Sequence, residues 1–194
     1  YSLFLTPTEA ILSLSQPMSK MKNAGSGLSN SDGMQSIETV SLHMQLLGTG
    51  SAPLVMGLDE LPGKANYFIG NDPSRWQTNI PTYGKIKYQD VYPGVDLVYY
   101  GNQTNLEYDF IVAPGADPAN IALGFKGIEE LKLDRKGNLV FNLSGGEIQM
   151  QKPFIYQEIN GARQAVRGGY VISNNQQVKF EIEAYDSSMP LMID

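Results

Sequence analysis

Residues 76–114 read WQTNIPTYGKIKYQDVYPGVDLVYYGNQTNLEYDFIVAP and hold the only Trp of the chain and six of its 11 Tyr. Near the end of this stretch Leu106, Tyr108, Phe110 and Val112 alternate with Glu107 and Asp109. A period of two is what a half-buried strand requires. Upstream, Val95, Leu97 and Tyr99 form a second apolar row. Between the rows lies Gly101-Asn102-Gln103-Thr104-Asn105, which has turn composition. The pattern predicts a hairpin with a five-residue loop.

Toward the N-terminus, residues 1–5 (YSLFL) and 10–14 (AILSL) are apolar runs joined by Thr6-Pro7-Thr8-Glu9, and they read as another hairpin. Residues 39–47 alternate, with Val40, Leu42, Met44 and Leu46 opposite Ser41, His43 and Gln45. Residues 16–37 are Ser-, Asn-, Gly- and Met-rich without period, which predicts a long mobile loop. Residues 48–63 are turn-rich, with a single helical turn expected at Asp59-Glu60-Leu61. A short strand follows at 65–70, and Asn71-Asp72-Pro73-Ser74 marks a turn.

Toward the C-terminus, Asp117-Pro118 predicts a capped helical turn. Residues 121–125 resume strand character. A run of hairpins then turns at 134–138, at Gly145-Gly146, at Asn160-Gly161 and at Asn174-Asn175, with residues 191–193 as a last strand. Asn-Gly is the strongest short hairpin signal. Turns every eight to twelve residues predict an all-β fold. The expectation is an antiparallel sandwich or related double-sheet fold of consecutive hairpins, with at most one or two short helical turns. Residues 1–194 are expected to form a single domain.

The net charge of −6, with no basic cluster, disfavours nucleic acid as a partner. The chain has no Cys, so disulfides, thiolate metal sites and Cys nucleophiles are excluded. No apolar run approaches the roughly 18 residues of a membrane-spanning helix. The sequence starts at Tyr1, in strand-like sequence and without a signal peptide, and is expected to be a segment of a longer chain.

Three acids, Asp96, Glu107 and Asp109, fall on one face if the central hairpin forms. Paired carboxylates suit glycoside hydrolysis or a hard cation. The simpler reading is the solvated face of an antiparallel sheet. Among the aromatics, Tyr88, Tyr99 and Tyr108 lie on apolar rows and read as core. Trp76, Tyr92 and Tyr100 are the candidates for a sugar-stacking surface. His43, the only histidine, sits on the polar face of a strand and reads as an ordinary surface residue. Asp134 to Asn138 lacks the D-x-D-x-D-G pattern of a calcium loop and reads as a turn. No catalytic set and no cofactor are expected.

Four segments together resemble a known family: residues 58–101 (LDELPGKANYFIGNDPSRWQTNIPTYGKIKYQDVYPGVDLVYYG), 106–125 (LEYDFIVAPGADPANIALGF), 152–166 (KPFIYQEINGARQAV) and 185–194 (YDSSMPLMID). The resemblance is to an N-terminal domain of unknown function. That domain precedes β-propeller repeats or Ig-like modules in large secreted bacterial surface proteins. Two departures stand out. The segment usual before the YSLFLTP-like strand is absent, and the chain stops at PLMID instead of continuing into the repeats. The resemblance implies an extracellular or cell-surface β domain and supplies no catalytic residues. The function expected is a non-enzymatic structural or interaction domain, assembling by strand pairing with neighbouring copies or with other domains of the same chain. A carbohydrate-binding module, with glycans as partner, is the second reading. A glycosidase-like enzyme is the third.

Overall fold

The computed structural model describes residues 2–17, 37–50, 52–101, 106–173 and 177–194. The chain is nearly all β, in antiparallel sheets packed together without closing into a barrel. The strands are β1 (Ser2–Leu5), β2 (Glu9–Pro17), β3 (Ile37–Leu46), β4 (Leu54–Tyr67), β5 (Gln77–Tyr92), β6 (Val95–Gly101), β7 (Leu106–Val112) and β8 (Leu123–Lys126). They continue as β9 (Glu130–Leu133), β10 (Leu139–Leu143), β11 (Gly146–Met150), β12 (Ile155–Ile159), β13 (Ala162–Ala165), β14 (Gly168–Ile172), β15 (Val178–Ile182) and β16 (Leu191–Ile193). Two single 3-10 turns, Pro73–Arg75 and Pro118–Asn120, start behind Asp72 and Asp117, whose carboxylates accept from backbone N–H groups two residues on.

One sheet has six strands in the order β1-β2-β3-β8-β15-β14. A second has seven, β13-β12-β16-β7-β6-β5-β4, and a third has three, β11-β10-β9. The expected central hairpin is β6–β7, paired from Val95 with Val112 to Gly101 with Leu106. Residues 102–105 of its loop lie outside the described residues. So do residues 18–36 of the expected mobile loop, while β2 runs on to Pro17 and β3 begins at Ile37. The Asn160-Gly161 turn joins β12 to β13 with φ of 52° and 76°, the left-handed pair that a tight hairpin needs.

The core lies where the three sheets meet, and a chain of rings joins them. Tyr88 packs edge-on to Tyr99, Tyr108 to Phe110, and Phe110 to Phe180, with centroids 5.7, 5.7 and 5.8 Å apart. The Tyr108 hydroxyl lies 3.1 Å from that of Tyr170 and donates to Met150 Sδ. The tyrosines read as core from alternation thus link the seven-stranded sheet to the other two.

One region departs from the expectation. Residues 54–67 form a continuous strand, and Asp59-Glu60-Leu61 is part of it rather than a helical turn. Asp59 alone takes a left-handed φ of 55° there. Among the described residues β5 pairs with β6 only from Lys85 onward. Beyond that point β4 and β5 continue together as a two-stranded ribbon, from Leu58 opposite Lys85 to Tyr67 opposite Gln77. At strand rise the eight residues from Gln77 to Gly84 carry the ribbon about 25 Å past the sheet. Two register shifts mark it, one at Pro62-Gly63 and one beside Asn79, whose φ is 57°. Such bulges admit Pro and left-handed residues inside a strand.

Candidate functional site

Among the described residues the exposed large apolar side chains concentrate on β4, β5 and the turn between them. Leu54, Val55, Leu61, Tyr67, Phe68, Ile69, Trp76 and Tyr83 are all exposed, Phe68 at 62% and Ile69 at 75%. Folding leaves large side chains in water only singly as a rule, so several along one hairpin make it the candidate contact surface. The tip is ordered by local bonds. Trp76 stands edge-on to Phe68 with centroids 5.2 Å apart, and its Nε1 donates to the Gly70 carbonyl at 3.1 Å. Asp72 closes the 3-10 turn by accepting from the Ser74 N–H and hydroxyl, and these bonds hold its carboxyl below the usual range.

The three aromatic candidates do not form one platform. Trp76 is at the ribbon tip, 38% exposed. Tyr92, expected at the surface, is only 2% exposed: its hydroxyl donates to the Ala122 carbonyl at 2.8 Å and accepts from the Ala122 N–H. This tyrosine ends β5, where it reaches under the segment leading into β8, and burial raises its phenol pKa. Tyr100 lies half-buried opposite Glu107 on the outer face of the seven-stranded sheet and donates to Asp109 Oδ1 at 2.9 Å. Burial, and then the neighbouring Asp109 carboxylate, push its phenol well above the ordinary value.

Asp96, Glu107 and Asp109 do share that outer face, since Asp96 is opposite Ile111, Asp109 opposite Val98 and Glu107 opposite Tyr100. Two of them have structural partners. Asp96 pairs with Lys87 at 2.6 Å and accepts from the Asp90 N–H at 2.9 Å, which fixes the bulge before the Pro93-Gly94 turn. Asp109 holds the Tyr100 hydroxyl, and partial burial raises its carboxyl pKa, with Asp194 and Glu107 adding to the rise. Among the described residues no cluster of three His, Cys, Asp or Glu stands ready for a metal. His43 lies 2.9 Å from Glu9 across the β2–β3 pair. The 134–138 turn is held by Asp134, which accepts from the N–H groups of Lys136 and Asn138.

The feature that reading by alternation missed is the edge of the ribbon at its base. Leu54 to Leu58 form the start of β4, the outermost strand of its sheet, and among the described residues β4 pairs only with β5. The sequence LVMGL carries neither charge nor proline. That run was legible as an apolar stretch, and the surrounding Gly and Pro residues masked it.

The geometry defines an all-β sandwich-like domain that extends one hairpin beyond its core. The chain belongs to the family Domain of unknown function (DUF7948), whose model it matches over residues 1–194. No curated protein and no solved structure matches it. Among the described residues no helix is long and apolar enough to cross a membrane.

Proposed function

We propose that the chain is a non-enzymatic structural and interaction domain of an extracellular bacterial surface protein, working through strand pairing. The observation that supports this reading is the hairpin of β4 and β5, with its exposed apolar side chains and, among the described residues, an outer edge that pairs with no further strand. An exposed edge offers a row of N–H and C=O groups to another chain. The acids that would serve hydrolysis fit structural duties, Asp96 with Lys87 and Asp109 with Tyr100. The placement ahead of propeller or Ig-like modules is part of the proposal and fits a domain that joins neighbours.

The test is sedimentation of the purified chain from micromolar to millimolar concentration, with a glycoside hydrolysis panel alongside. Reversible self-association without hydrolysis is expected. A chain that stays monomeric throughout, or that turns over a glycoside, overturns the reading. A glycan-binding role is the second reading, favoured by the exposure of Trp76 against Phe68. It predicts array binding that Trp76→Ala abolishes.

A further inference from the structure

We propose that Leu54 to Leu58 of β4 pair antiparallel with the same residues of a second copy, about a two-fold axis at Met56. Two seven-stranded sheets then become one continuous sheet across the dimer. The inference rests on the reading of the domain as self-assembling and names the surface and the register.

The first reason is the edge itself. Natural sheets blunt their edges with charge, proline or bulges. The distal part of β4 does so, with Asp59, Glu60, Pro62 and Lys64 and a register shift. Its first five residues carry none of these devices. Leu54 is 62% exposed and Val55 46%. The other edge of the same sheet, β13, carries Arg163. In the six-stranded sheet, edge strand β1 has only four residues, and the Lys152 side chain lies over Gly169 of edge strand β14.

The second reason is self-complementarity. Val55 and Gly57 point to one face and Leu54, Met56 and Leu58 to the other. The Tyr83 ring lies directly over Gly57, so close that a Cβ there would strike it, and presents an aromatic face at that position. The two-fold register sets Val55 opposite the partner's Gly57, so the isopropyl group packs beside the ring that covers the glycine, and symmetry repeats the contact. On the other face Leu54 meets Leu58 of the partner subunit, and Met56 meets the partner's Met56. An isologous contact of this kind closes on itself and gives a dimer. A contact of five residues per chain is small, so the dimer is weak and shows itself at high concentration.

The absence of native Cys makes the register directly testable. Residues directly opposite in an antiparallel pair fall within the Cα separation that a disulfide spans. Under mild oxidation Met56→Cys is expected to form a covalent dimer by itself. Leu54→Cys is expected to form none alone and to cross-link when mixed with Leu58→Cys. Val55→Lys changes an exposed side chain, leaves the fold intact by circular dichroism, and is expected to weaken association at least about tenfold by placing charge on the edge. If the wild-type chain associates while Met56→Cys stays monomeric, or while Val55→Lys associates as tightly, the β4 interface is overturned and the assembly reading stands. If the wild-type chain never associates, both fall.

Discussion

The sandwich body and the β4–β5 ribbon are built from the same residue types to opposite ends. The body takes Tyr, Phe and Leu and hides them: Leu97, Phe110, Leu139, Phe141 and Leu191 have no measurable exposure. The ribbon takes Leu, Tyr, Phe and Trp and leaves them in water. In the body each apolar group removed from water stabilises the fold. In the ribbon the same groups stabilise little, because two strands alone have no layer to pack against. A ribbon kept apolar at no gain to the fold directs attention to what it touches.

The sharpest test of this contrast is a pair of aromatic truncations. Phe110→Ala opens a cavity amid Tyr108 and Phe180 and is expected to cost about 3–5 kcal/mol of stability. Trp76→Ala removes one edge-on contact and one hydrogen bond at the ribbon tip and is expected to cost about 1 kcal/mol or less. Urea unfolding of both variants measures the difference. Equal losses would mean that the ribbon tip is part of the core after all.

The same contrast explains what the sequence disclosed. The β6–β7 hairpin is legible because the inner face of each strand is packed on the core, which forces alternation, and the hairpins from β9 to β13 are legible because their turns use Asn, Asp and Gly. A ribbon exposed on both faces is under no such demand. With Pro62 and Gly63 in β4, residues 48–63 read as turn-rich and only 65–70 as strand, while Pro81 and Gly84 interrupt any alternation in β5. The shared face of Asp96, Glu107 and Asp109 followed from the hairpin alone. Their partners did not: Lys87 comes from β5, a strand the alternation did not reveal. Tyr92 was misplaced for a related reason. Its partner, Ala122, is 30 residues away along the chain, and no local pattern announces such a contact.

Tyr92 also gives the next largest effect. Tyr92→Phe keeps the buried ring and deletes the hydroxyl. The Ala122 carbonyl retains the Leu47 N–H at 2.8 Å, while the Ala122 N–H loses its partner. One buried donor left unpaired, together with the lost bond, is expected to cost about 1–2 kcal/mol. Denaturant midpoints of the variant measure it. A neutral result would show that water reaches the amide and that this part of the body is as open as the ribbon.

The smallest effect lies where the two regions join, on the outer face beside Lys85. Asp109 has its carboxyl pKa raised in the folded chain by burial, then by Asp194 and Glu107, against the lowering pull of the Tyr100 hydroxyl and Lys85. A carboxyl with a raised folded pKa favours the native state most when protonated, below its ordinary value of 3.8. That contribution is lost as pH climbs through the folded value, so at neutral pH the ionised Asp109 works against the fold. Asp109→Asn keeps an oxygen for the Tyr100 hydroxyl and has no charge to desolvate. Its melting temperature is therefore expected to exceed that of the wild type at pH 7, with the gain vanishing at pH 3. Thermal unfolding at the two pH values reads the sign. A loss at pH 7 would mean that the attraction of Lys85, at the root of the ribbon, outweighs burial, and that the ribbon helps to hold the sheet it leaves.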